Sequence, residues 1–393
     1  MFQSKSLATT LSIAAMVALG PLSTDMYLPA LPGIAAQLFA DAGEVQLTLS
    51  LFLVGFACAQ LVYGPLSDRY GRKSVLLASL VLFLVSSMAC ALATDIYTLI
   101  AFRFLQALGG SAGPVLGRAM VRDIHGAKNS GKVLSHIGSA MALAPAIAPI
   151  AGGYMMVYWG WPSIFWFLAL FGLAACGLLQ FKIAETAPVE FRHPKSIGKI
   201  GSDFSTLLHD RLFLGYTLTC TFSFAGLFAF LSGSSFVIIE YFAIAEENFG
   251  LLFALVVGGY LTGTLIGARL SHQFGHKKLV LIGAVITLLA GSAMFVFASG
   301  QPQHVISVIL PMMCFMIGVG LVMPQSMAGA LADYPHIAGS ASGLLGFLQM
   351  SIAAIVGIFV GHGYDGTPFF MSSTIALMGL LTLVFYAVLI HRD

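Results

Sequence analysis

Apolar residues run along this chain in blocks of about twenty, separated by short polar segments, and within a block they do not alternate with polar ones. Runs of that length match the ~20 residues an α-helix needs to cross a bilayer. In lipid every backbone N–H and C=O must find its partner within the protein, which leaves helices or closed barrels. The continuity of the runs selects helices. The pattern therefore predicts an all-α membrane protein with twelve transmembrane helices, at 7–30, 45–64, 74–94, 96–117, 133–157, 161–182, 211–233, 249–270, 278–299, 304–331, 338–361 and 368–390. The first run continues past twenty residues without a small-residue cleavage site, so it reads as a span and not as a removable signal.

One connection breaks the rhythm. The segment 183–210 carries Glu185, Glu190, Arg192, Lys195, Lys199, Asp203 and Asp210. It divides the chain into a six-helix bundle at 1–182, a linker, and a second six-helix bundle at 211–393. Composition agrees, because 9% charged residues, against roughly 25% in soluble domains, cannot clothe a globular surface. The five cysteines (Cys58, Cys90, Cys176, Cys220 and Cys314) fall inside apolar runs without metal-ligand spacing and read as small buried side chains. No Ser-His-Asp, His-Glu-x-x-His or cysteine-cluster constellation is present. The expectation is a protein that is not an enzyme and needs no metal or cofactor.

Charge placement sets the orientation. With a cytoplasmic N-terminus, every Lys and Arg except Arg103 falls in a cytoplasmic loop or helix end, from Lys5 through Arg118 and Lys182 to Arg392. The opposite side then holds acids such as Asp41, Glu44, Asp95, Glu246, Glu247 and Asp365. This is the positive-inside rule, and it places both termini and the linker in the cytoplasm. The net charge of +2 offers nothing to a nucleic acid. The expected partners are the lipid bilayer, protons and a small molecule, and the expected oligomeric state is a monomer.

The two blocks resemble each other. Leu66-Ser67-Asp68-Arg69-Tyr70-Gly71-Arg72-Lys73 follows the second helix, and Leu270-Ser271-His272-Gln273-Phe274-Gly275-His276-Lys277 follows the eighth. Leu, Ser, an aromatic, Gly and Lys coincide at the same place in each block, which reads as an internal duplication in parallel orientation.

Gly64-Pro65-Leu66-Ser67-Asp68-Arg69-Tyr70-Gly71-Arg72-Lys73 matches the loop motif of the major facilitator superfamily in full. Asp25-Met26-Tyr27-Leu28-Pro29-Ala30-Leu31-Pro32 resembles helix one of its twelve-helix drug:proton antiporters, of the bicyclomycin-resistance and chloramphenicol/florfenicol-exporter type. The likeness extends to Ala332-Asp333-Tyr334-Pro335-His336-Ile337-Ala338-Gly339-Ser340-Ala341. It departs at Ala148, where the helix-five motif (Pro145, Pro149, Gly152, Gly153) has Gly, and at Ala107 in helix four; both replacements are small. The resemblance implies proton-coupled export of lipophilic drugs across the bacterial inner membrane by alternating access. The alternative is transport of a native metabolite, such as an amino acid or sugar, on the same scaffold.

Two charges lie well inside the spans. Asp25 is about five residues from the end of its helix and Arg103 about seven from the start of its own, so at ~1.5 Å per residue their depths match. An unpaired charge at depth costs at least ~2.5–3.5 kcal/mol, which points to an ion pair. Such a pair either orders the half-bundle or exchanges the arginine for a proton, and Asp25 is also a candidate for binding a cationic drug. Asp68 is expected to meet the start of helix eleven at Gly339 and Ser340, where the positive end of a helix dipole favours a carboxylate. With Gly64, Arg69, Gly71, Arg72 and Asp123 it would form a cytoplasmic gate; the other reading is a positive-inside anchor. Small residues face one side of helix five (Gly138, Ala142, Pro145, Pro149, Gly152) and of helix eight (Gly259, Gly263, Gly267). That suits close packing, and the resemblance implies that these two helices meet across the halves. Met141, Phe222, Phe224, Phe228 and Phe230 either line an apolar cavity or face lipid. Gln325 and Gln349 are further substrate-binding candidates, since polar side chains rarely face lipid.

Overall fold

The computed structural model describes residues 7–186, 197–334 and 337–390, with the side chains of 7–8, 122, 125–143, 197–200, 272 and 338 outside that description. Among the described residues the chain is helical, with no strand. The helices are α1 (Leu7–Asp25), α2 (Leu31–Gln37), α3 (Ala42–Tyr70), α4 (Arg72–Ala91), α5 (Ile96–Gly110), α6 (Ala112–Trp159) and α7 (Pro162–Lys182). They continue as α8 (Ile197–His209), α9 (Arg211–Ser235), α10 (Glu246–Ser299), α11 (Ile306–Ala332), α12 (Ala338–His362) and α13 (Phe369–Phe385). Among the described residues, 11 helical stretches are long and apolar enough to cross a membrane. The twelfth expected span, 133–157, lies within α6, where the side chains up to 143 are outside the description.

Several boundaries differ from those expected. The first span breaks after Asp25, passes through a 3₁₀ turn at Leu28–Ala30 and resumes as α2. Pro29 has no N–H for the carbonyl of Asp25, which removes one helical bond at the break. The expected loop between 117 and 133 is helical instead, and α6 runs on through Pro145 and Pro149 to Trp159. The two helices expected at 249–270 and 278–299 are the two arms of α10, which is broken by a kink at Gly275, where φ 72° and ψ 168° are not helical.

The chain folds into two compact units, Met1–Ala40 with Leu51–Lys195, and Asp41–Ser50 with Ser196–Asp393. Helix α3 is thus shared. Its first turns fold with the second unit, where the Gln46 amide donates to the carbonyl of Ser232, and Gly357 and Gly361 of α12 leave room for Ser50 and Gln46.

Within the first unit α1 packs on α6, where Gly113 and Gly152 admit the carbonyls of Met16 and Met26. Within the second, Gly259 and Gly263 of α10 admit the carbonyls of Met313 and Ile317 on α11, and Gly267 faces Leu321 and Gln325 of the same helix. Gly152 of helix five and Gly259, Gly263 and Gly267 of helix eight thus each pack on a neighbour inside their own unit. A glycine face admits whichever backbone packs on it, and sequence alone does not say which.

The duplication is visible in the backbone. Phe39 and Ala243, 204 positions apart, both adopt φ 52°, and Gly71 and Gly275, again 204 apart, adopt 91° and 72°. Left-handed conformations are unfavourable for residues with a Cβ, so their recurrence at one offset marks a repeated structure.

Candidate functional site

Arg103 of α5 is fully buried. The break after Asp25 leaves carbonyls at the end of α1 without helical partners, and one of them, on Ser23, accepts Arg103 Nη1 at 3.1 Å. Nη1 also donates to Gln106 Oε1 at 2.6 Å, and Gln106 in turn donates to Ser87 at 2.8 Å. The guanidinium lies 4.3 Å from the ring centroid of Phe52, 4.6 Å from that of Tyr27 and 5.8 Å from that of Phe165. Its Nε and Nη2 have no hydrogen-bond partner.

Asp25, only 6% exposed, accepts a hydrogen bond from Thr24 Oγ1 at 3.0 Å. Asp25 and Arg103 form no ion pair, since Nη1 goes to Ser23 and Gln106 and the other two nitrogens have no partner. The expected pair is corrected accordingly. A desolvated cation over an aromatic face gains about 2 kcal/mol, so two near rings match the ~2.5–3.5 kcal/mol cost of the buried charge without a carboxylate. Of the helix-five motif, Gly152 sits against the carbonyl of Met26, directly after Asp25. Pro149 and Gly153 are buried beside it in sequence, and Pro145 is half-buried.

The loop between α3 and α4 forms a second cluster. Arg72 Nη1 reaches Asp68 at 2.6 Å and Ser67 Oγ at 2.5 Å, and its Nε reaches Asp123 at 3.4 Å. Burial pushes the Asp123 carboxyl above its ordinary range, and Arg72 pulls it partly back. Gly71, at φ 91°, adopts a conformation that suits glycine. Arg69 lies outside the cluster, 5.1 Å over the exposed ring of Tyr70. Gly64 and Gly339 have open space where a side chain would stand.

The second unit carries a counterpart. His276, 204 positions after Arg72, bonds through Nδ1 to Gln325 Oε1 at 2.7 Å. Gln325 thus braces the second loop, as Asp123 braces the first. Ser340 at the start of α12 donates to Asp203 of α8 at 3.1 Å.

The phenylalanines of α9 do not share one face. Phe222 stacks on Phe385 of α13 at 5.0 Å, Phe230 packs on Phe253 of α10 at 6.2 Å, and only Phe224 and Phe228 stack on each other, at 6.4 Å. Phe228 also approaches Gly357 of α12. Gln349 is buried on α12, and the side chain of Met141 lies outside the description.

Sequence reasoning missed Tyr27, Phe52 and Phe165 around Arg103, and Glu185 and Asp203 in the linker. Tyr27 stands two positions after Asp25 in the quoted motif and was open to discovery. Phe52 and Phe165 are single aromatics among many.

Comparison with known proteins places the site in context. The profile described as Major Facilitator Superfamily matches residues 13–358. An uncharacterized MFS-type transporter of Bacillus subtilis (strain 168), YdgK, is 37% identical over 357 residues, covering 90% of this chain and 89% of that protein. A bicyclomycin resistance protein homolog of Haemophilus influenzae is 31% identical, covering 98% and 96%. Multidrug resistance protein MdtL of Shigella dysenteriae serotype 1 is 32% identical, covering 88% of each. Among solved structures, a D-xylose-proton symporter superposes with a TM-score of 0.78 at 16% identity, covering 97% of both chains, which speaks to the fold alone.

Proposed function

The chain belongs to the major facilitator superfamily, and from that premise we propose that it exports small lipophilic drugs across the bacterial inner membrane in exchange for protons. It is a multi-pass membrane transporter and not an enzyme. Two relatives named for bicyclomycin and multidrug resistance support a drug as the substrate. The positive-inside pattern supports cytoplasmic termini and linker.

The observation that carries the proton coupling is the separation of Asp25 from Arg103. Asp25 is buried and bonded to Thr24, while Arg103 rests on aromatic rings with Nε and Nη2 unpartnered. In this reading the carboxyl carries the coupled proton while Thr24 is its partner. When the proton leaves, the two free guanidinium nitrogens are the partners available to the carboxylate, and reprotonation returns the arginine to its rings. A substrate that needs one of these states more than the other is thereby coupled to the proton. The Asp68–Arg72–Asp123 cluster serves as the cytoplasmic gate, closing when Asp68 takes the start of α12.

The test is a susceptibility panel in a pump-deficient strain, followed by transport of any hit in inverted vesicles. Export driven by an imposed pH gradient is expected for the wild type and lost in Asp25→Asn. If Asp25→Asn still concentrates the compound in response to that gradient, Asp25 is not the coupling group. Uptake of an amino acid or sugar with no drug phenotype would favour the metabolite reading.

A further inference from the structure

The cytoplasmic loop motif has a member from outside it. Just past α7, Glu185 Oε1 accepts the backbone N–H of Arg72 at 3.0 Å, and its Oε2 accepts that of Lys73 at 3.2 Å. These are the first two N–H groups of α4, which have no partner inside the helix. A carboxylate there also faces the positive end of the helix dipole. Lys73 Nζ adds a bond to the carbonyl of Gln180 at 2.9 Å, fastening the same two segments a second time.

Gly71 records the fit. A Cβ at that position would collide with the Glu185 carboxylate, so the seat of the acid requires glycine independently of the left-handed backbone. The next residue, Thr186, places Oγ1 3.5 Å from Asp123 Oδ2, the oxygen that also receives Arg72 Nε. The chain leaving α7 thus touches both the backbone of Arg72 and the carboxylate that Arg72 binds.

We propose that Glu185 is a positioning residue of the cytoplasmic gate: by capping α4 it aims Arg72 at Asp68 and Asp123, and it joins the linker to the loop. The inference rests on the transport reading above for its functional meaning. Its geometric part does not, and that part is tested without a substrate.

Ser67 lies fully buried beneath the Arg72 guanidinium, so a cysteine there reports whether Arg72 is in place. The full-length, otherwise cysteine-free protein carrying Ser67→Cys is labelled with a fluorescent maleimide in inverted membrane vesicles. Adding Glu185→Ala is expected to raise the labelling rate about five-fold, the change that loss of an ordinary helix cap brings. Glu185→Gln keeps one acceptor oxygen and is expected to fall between. Size-exclusion profiles in detergent confirm that both variants are folded, and Glu185→Gln stands in if Glu185→Ala is not. Unchanged labelling in a folded variant overturns the proposal. Faster labelling in a chain whose wild type moves no compound leaves the proposal standing and refutes the drug-export reading instead.

Discussion

The guanidinium of Arg103 lies 4.3 Å from the ring of Phe52 and has no ion pair with Asp25. A cation held by aromatic faces can be lent to a carboxylate and taken back, because neither arrangement strands a charge in a dry interior. A fixed pair has no such second state. Breaking a buried ion pair by removing one partner costs about 3–5 kcal/mol.

Asp25→Asn should therefore leave stability nearly untouched while removing the response to a pH gradient. Thermal unfolding in detergent measures the first part. A loss of about 3 kcal/mol or more would mean that Asp25 and Arg103 are paired in the resting protein after all.

Phe52→Leu should weaken the aromatic seat of Arg103. The expected cost is about 1–2 kcal/mol beyond the change in side-chain size, seen as a lower Tm. The same substitution at Phe297, an exposed ring of α10, provides the reference and should cost less than about 0.5 kcal/mol.

Glycines sort by what surrounds them. Gly152→Ala drives a methyl group into the carbonyl of Met26, next to Asp25, and should cost about 1–3 kcal/mol together with transport. Gly64→Ala and Gly339→Ala meet open space and should be neutral in stability within about 0.5 kcal/mol. Equal effects at all three positions would contradict the packing described here.

The gate makes a separate prediction. Asp203 holds Ser340 at 3.1 Å while Asp68 is held by Arg72. Asp203→Asn should free the start of α12 for Asp68 and increase disulfide crosslinking between cysteines at Ser67 and Ser340. Asp68→Asn should decrease it and slow turnover without abolishing drug binding. Crosslinking that ignores both substitutions removes the gate reading.

Asp123 provides a pH test. Burial raises its carboxyl above the unfolded value, so its contribution to stability is present below the ordinary carboxylate range and is lost as pH rises through the raised value. The Tm of the wild type should fall relative to that of Asp123→Asn as pH is raised across that window. A wild-type Tm that rises relative to the variant would mean that the pull of Arg72 outweighs burial.

Sequence alone determined the helical class, the family and the duplication. Those depend on the length of apolar runs, on where basic residues fall and on motifs that survive as contiguous strings, and each of these is local. It also picked out Asp25 and Arg103, since a charge in an apolar run stands out without any structure. The partners were a different matter. Phe52 and Phe165 reach Arg103 from two other helices, Glu185 reaches α4 across 113 positions, and Asp203 reaches Ser340 across 137. Only the tertiary structure decided that aromatic rings and not Asp25 hold the arginine, that Gly259 and Gly263 serve α11, and that Gln325 braces a loop. The reason is physical: burying a charge or a helix end creates a demand for a partner, and many side chains along the chain can meet it. Which one does depends on the packing of the helices that carry them.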